Sequence, residues 1–155
     1  MKTKIARTWM VSLFAVVLTV GMAAPAHAWG PPCSTASAAG NWSLTDQGTV
    51  LGIGPRTAVG IFTLDENGTL VNGVATSSLN GTIAKETYSG TYTVNPDCTG
   101  TINVKIYSDG TELFAVTLFT AFDEEVRHLR GIFTSVVTPS GTKLSTVINL
   151  DARKQ

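Results

Sequence analysis

Ionisable side chains crowd most densely at Asp123, Glu124, Glu125, Arg127, His128 and Arg130. A carboxylate beside an imidazole is an arrangement that tunes general acid-base chemistry. The plainer reading of the same six residues is a solvated charged connection. Arg56, Glu86 and Glu112 fall near expected strand ends, where each either reaches a barrel mouth or stays as surface charge. Cys33 and Cys98 are the only two cysteines. They lack a Cys-x-x-Cys spacing and lie in a chain with an export signal, so a disulfide is expected in preference to a metal pair or a reactive thiol. No nucleophile motif, phosphate-cradling glycine loop or metal-ligand spacing accompanies them, and no cofactor is expected.

These residues need a scaffold, and the first 28 residues read as something other than scaffold. Lys2, Lys4 and Arg7 form a basic start, an apolar run follows from Trp9 to about Met22, and Ala26-His27-Ala28 supplies a small-x-small cleavage site. Residues 1–28 are therefore expected to be a signal peptide cut after Ala28, which makes the protein secreted or periplasmic. The alternative, a spanning helix, lacks a following basic cluster and meets Gly30, Pro31 and Pro32. From residue 29 onward, 8 basic residues face 11 acidic ones, a net charge of −3 with histidine neutral. Scattered lysines and mild acidity argue against nucleic acid as a partner.

Residues 29–39, rich in Pro, Ser and Ala, read as a flexible arm tethered by Cys33. Residues 40–151 then alternate apolar and polar in short runs separated by turn residues, the pattern of half-buried strands. The runs are Asn41 to Val50, Thr57 to Leu64, Thr69 to Ser78, Lys85 to Val94, Thr99 to Tyr107, Thr111 to Phe122, Arg127 to Thr138 and Thr142 to Leu150. Asn67-Gly68, Asn80-Gly81 and Asp109-Gly110 mark hairpins because these pairs accept positive φ. No helical repeat of useful length appears, so the class is all-β. Eight sequential strands leave two bare edges unless the first meets the last, which favours an antiparallel up-and-down barrel over a two-sheet sandwich.

With the apolar side of each strand turned inward, the interior collects Trp42, Leu44, Phe62, Tyr88, Tyr92, Val94, Ile102, Val104, Ile106, Leu129, Phe133, Leu144, Ile148 and Leu150. An eight-stranded barrel is wide enough to be filled by such side chains or to hold one small ligand. Trp42, Phe62, Tyr88 and Tyr92 are the expected ligand contacts, with Val104 beside them, since buried Tyr and Trp tips need partners. Strands six and seven are apolar on both sides: Leu113, Ala115 and Phe119 oppose Phe114, Val116, Leu118 and Phe122, and Ile132 and Val136 oppose Leu129 and Phe133. That pattern predicts an outward patch and a homo-oligomer through these strands, unless residues 29–39 cover it. An outer-membrane barrel fits poorly, because strands one, four and five offer mainly Ser, Thr, Asn and Lys outward.

The segment Gly90-Thr91-Tyr92-Thr93-Val94-Asn95-Pro96-Asp97-Cys98-Thr99-Gly100-Thr101 resembles that of a group of small secreted bacterial proteins carrying Gly-Thr-Tyr-x-Val-Asn-x-Asp-Cys-x-Gly. The barrel looks like the allene oxide cyclase type, whose members cyclise apolar substrates in a dry lumen. No catalytic constellation of that group is matched here, so no residue inherits a role. The leading expectation is an exported barrel that binds a small apolar or aromatic molecule in its lumen. The alternatives are a cofactor-free isomerase or cyclase, and a structural or adhesive module.

Overall fold

The computed structural model describes residues 33–155. The expected signal peptide and the first residues of the expected arm lie outside them. One helical turn, α1 (Thr35–Ala38), precedes β1 (Gly40–Val50), β2 (Gly54–Leu64), β3 (Thr69–Leu79), β4 (Thr82–Val94), β5 (Thr99–Ser108), β6 (Thr111–Phe122), β7 (His128–Val137), the two-residue β8 (Lys143–Leu144) and β9 (Thr146–Lys154). Each long strand pairs antiparallel with its sequence neighbour. The sheet closes because β9 pairs with both β1 and β7, with Trp42 opposite Lys154 and Val50 opposite Thr146. The result is an eight-stranded up-and-down barrel with β8 as a short extra strand, and the sandwich alternative is set aside. No helix of the described residues is long and apolar enough to cross a membrane.

All the residues expected inside are buried or half-buried, because period-two alternation holds along most strands. Alternation slips by one residue in β3 between Leu70 and Gly73, in β6 at Leu113, and in β7. Thr117 pairs with Ser135 but Leu118 pairs with Phe133, so Thr134 is an extra residue whose hydroxyl donates to the Thr117 carbonyl (3.0 Å). Such a bulge reverses the facing of everything beyond it. Val136, expected outward beside Ile132, is instead 4% exposed in the interior, while Ile132 remains outside. The last strand also differs from expectation. It breaks at Ser145, whose carbonyl accepts from Leu51 N, and then runs on to Lys154, so the barrel ends three residues beyond 151.

One end of the barrel is plugged. Three turns of like geometry lie there, Asp65–Gly68, Asn95–Cys98 and Asp123–Val126, each closed by a hydrogen bond from the fourth residue's N–H to the first residue's carbonyl (3.0 to 3.2 Å). The fourth residue has positive φ in all three, +89° at Gly68, +64° at Cys98 and +53° at Val126. Glycine takes that conformation freely, whereas a β-branched residue there is strained. Val126 is held in it by packing: its side chain is 1% exposed, within the plug core.

Residues 33–39, expected as part of a flexible arm, are folded across this end. Ser34 and Ser37 form a reciprocal capping box, which nucleates α1. Trp42 Nε1 donates to the Ala38 carbonyl (3.0 Å), and the Tyr92 hydroxyl is shared between the carbonyls of Thr35 (2.7 Å) and Asp65 (2.5 Å). Burial, with the charges of Asp65 and Glu66, pushes the Tyr92 hydroxyl up to about 12, so it stays a donor. Cys33 and Cys98 form the expected disulfide, with Cα atoms 5.0 Å apart. Closing a loop with a sequence separation of 65 removes unfolded-state entropy worth about 4 kcal/mol. Replacing both cysteines by serine should therefore lower unfolding free energy by about 4 kcal/mol in urea titrations. An unchanged midpoint would show that the loop is already held closed in the denatured chain.

Candidate functional site: a lumen cavity beside a buried arginine

Four consecutive strands send polar side chains into the barrel at one level: Asp46 from β1, Arg56 from β2, Ser77 from β3 and Glu86 from β4. Their strand parity dictates this, since Asp46 shares a side with Trp42 and Leu44, and Glu86 with Tyr88 and Tyr92. Small residues stand opposite the two acids, Ala58 across from Asp46 and Ala75 across from Glu86. The Arg56 guanidinium donates both terminal nitrogens to Glu86 (Nη1–Oε1 2.9 Å, Nη2–Oε2 2.8 Å) and reaches Asp46 Oδ2 at 3.3 Å. The Ser77 hydroxyl donates to Glu86 Oε1 (2.7 Å). All four side chains are buried, Arg56 at 7% exposure. Arg56 and Glu86, expected at strand ends as surface or mouth charges, thus lie inside, together with Asp46 and Ser77, whose in-facing parity is the signal in the sequence. Glu112, by contrast, stays outside and pairs with Lys105 (2.8 Å).

Titration follows from these contacts. Burial works against the Glu86 charge, but the hydrogen bonds and charge of Arg56, with the Ser77 hydroxyl, outweigh it and hold the carboxyl below its ordinary 4.5. For Asp46 burial wins over the attraction of Arg56, and the nearby Glu86 charge adds to it, so this carboxyl lies above its ordinary 3.8. Burial also lifts the Tyr88 hydroxyl, reinforced by the charges of Asp46 and Glu86, so it remains protonated. Two polar atoms of the cluster have no partner in the protein, Asp46 Oδ1 and Arg56 Nε.

A cavity of about 50 Å³ adjoins the cluster. Leu44, Phe62, Leu70, Ile102, Val104, Ile106, Leu118, Phe133 and Leu150 line its apolar side; Asp46, Arg56, Glu86 and Tyr88 line the other. The plug closes it toward the disulfide end. Toward the other end, Val50, Leu79, Phe114, Val136, Leu144 and Ile148 surround a void of only about 10 Å³. Of the expected ligand contacts, Phe62, Tyr88 and Val104 line the cavity, whereas Trp42 and Tyr92 belong to the plug. Trp42 stacks with Phe62 (centroids 6.3 Å, planes 7° apart) and meets Phe122 edge-on at 6.0 Å. Tyr88 lies over Gly73 and reaches the carbonyls of Ile61 (3.2 Å) and Val74 (3.3 Å). A Cβ at Gly73 would sit 2.3 Å from both the Tyr88 ring and the Tyr88 backbone carbonyl, so only glycine fits there.

The charged stretch around His128 is elsewhere. His128 Nε2 is 2.7 Å from Asp151 Oδ2, Asp123 Oδ1 accepts from Arg127 N (2.7 Å), and Arg130 is exposed on the outer wall. None of these lines the lumen cavity. Among the described residues, no group of three or more His, Cys, Asp or Glu side chains is placed to hold a metal ion.

No protein-family model matches this chain, and no curated protein matches it. A solved structure described as EF1p2_mFAP2b bound to DFHBI shares its barrel, with 14% identity and a TM-score of 0.54, covering 77% of this chain and 94% of that one. At that identity the likeness is one of fold.

Removing the only cation of the cluster strands two carboxylates in the interior, so Arg56→Met should cost roughly 3–5 kcal/mol at pH 7. The penalty should shrink in acid as Asp46 and Glu86 protonate. In the native protein the depressed Glu86 value means its stabilisation is complete above pH 4.5 and is lost as pH falls through the folded value. The raised Asp46 value acts oppositely, favouring the fold below 3.8 and losing that contribution as pH rises through the folded value. Glu86→Gln should consequently flatten the acid limb of stability; urea midpoints measured from pH 3 to 7 on both variants check these signs.

Proposed function

We propose that this protein is an exported barrel that binds a small apolar molecule in its lumen. The observation that carries the reading is the lumen cavity, lined on most sides by hydrocarbon, within a closed sheet. The bound DFHBI of EF1p2_mFAP2b supports it by analogy of fold. Size limits the ligand. A cavity of about 150 Å³ is what an engineered apolar core uses to hold benzene, and this one is about 50 Å³. A guest of a few heavy atoms fits as the side chains stand, and an aromatic guest requires the half-buried Phe133 and Tyr88 to swing aside. Export rests on the residue 1–28 signal, which lies outside the described residues, and a disulfide fits an oxidising compartment.

A second reading, a cofactor-free isomerase or cyclase, is favoured by one observation: a buried carboxylate, Asp46, with an unpartnered oxygen at the cavity wall. Such a group could accept a proton from a substrate held dry beside it. Pairing of two copies through the outer faces of β6 and β7 is a further part of the proposal, supported by Phe119 and Ile132, which pair across the strands and are 49% and 55% exposed. Val59, Ile61 and Val74 make a second outer apolar patch, on β2 and β3.

Xenon is a probe of apolar cavities. Methyl NMR under xenon pressure should shift Ile102, Val104 and Leu118, and Val104→Leu, which fills the space, should suppress the effect; no shift in the folded native protein would overturn lumen binding. For self-association, light scattering of native protein should give a dimer or higher mass that Phe119→Lys converts to monomer, and a monomeric native mass would remove that part.

A further inference from the structure

The two orphan atoms of the arginine cluster are chemically opposite and belong to side chains that pair with each other. Asp46 and Arg56 are paired through Oδ2 and Nη2 (3.3 Å), and the atoms left over are the second oxygen of the Asp46 carboxylate, Oδ1, and the Nε of the Arg56 guanidinium. One is a hydrogen-bond acceptor and the other a donor. Both side chains are more than nine-tenths buried and both line the lumen cavity. An unsatisfied buried polar group costs about 1–3 kcal/mol, so a guest that satisfied both would gain an advantage over a purely apolar one.

Charge narrows the guest further. Glu86 engages Arg56 with both oxygens and so neutralises it, leaving Asp46 as the uncompensated partner in a cluster with one cation and two carboxylates. An anionic head placed there meets a like charge in a poorly solvated space. A head with no hydrogen-bond donor leaves Asp46 Oδ1 unmatched. An ammonium satisfies Asp46 but gives Arg56 Nε no acceptor and brings a second cation beside the guanidinium.

Resting on the lumen-binding reading above, we propose that the natural guest is a short-chain molecule with an uncharged head that both donates and accepts a hydrogen bond, of which a primary carboxamide is the simplest. Its N–H donates to Asp46 Oδ1, its carbonyl accepts from Arg56 Nε, and its hydrocarbon tail lies against Leu44, Phe62 and Val104. The binding is non-covalent and needs no co-reactant.

Propionamide and propionate are nearly the same shape and differ in charge and in the donor, so they isolate the head group. NMR titrations of the native protein at pH 7 should give propionamide at least about 10-fold tighter binding than propionate, about 1.4 kcal/mol, with shifts at Asp46, Arg56 and the cavity methyls. Asp46→Asn, which removes the cluster's excess negative charge, should narrow that ratio by raising propionate affinity. If xenon binds but propionate equals or exceeds propionamide, or neither binds, the head-group assignment is overturned and lumen binding stands. If neither xenon nor propionamide binds, both fall together. Should Asp46→Asn fail to fold, the comparison on the native protein still decides.

Discussion

Closure of the sheet by β1 and β9 is the constraint on which the molecule depends. The paired stretch runs from Trp42 opposite Lys154 to Val50 opposite Thr146, so the first and last strands satisfy each other's backbone along nearly their whole length. Without it, two strand edges would lie open, and the interior face of every strand would lose the opposite wall it packs against. Closure also fixes the diameter, and an eight-stranded cylinder leaves room for little beyond its own side chains. The small cavity follows from that geometry.

Inside such a cylinder a charged cluster is expensive. Desolvating an arginine and two carboxylates is offset only when the geometry is good and the remaining polar atoms are matched. Glu86 meets that condition, with Arg56 on both oxygens and Ser77 on one. Asp46 does not, which is why burial governs its titration and the arginine governs that of Glu86. A purely structural core of this size has no need of such a group. That contrast between two chemically similar acids, 40 residues apart in sequence, is the strongest functional signal in the lumen.

The barrel, its hairpin turns and the inward set from Trp42 to Leu150 were legible in the sequence because alternation and Asn-Gly or Asp-Gly pairs act locally. The Cys33–Cys98 bond was legible from cysteine number and the expected export signal. What escaped was non-local. The extra residue at Thr134 leaves no mark in the alternation of β7, so the facing of Val136 was misread. The folding of Ser34 to Ala39 depends on carbonyl acceptors meeting Trp42 and Tyr92, which only the assembled end supplies. Arg56 and Glu86 looked like rim charges because charged residues usually are, although the parity of Glu86 with Tyr88 and Tyr92 already pointed inward.

The disulfide at Cys33 and the last residue, Gln155, whose N–H donates to the Asn41 carbonyl, lie at the same plugged end. Any reporter, surface linker or partner domain joined through either side of the described chain would thus emanate from one pole. The far pole, with the Asn80-Gly81 and Asp109-Gly110 hairpins, would be left unencumbered and oriented away from the attachment. Immobilised in that way, the molecule would present a uniform outer cap to its surroundings.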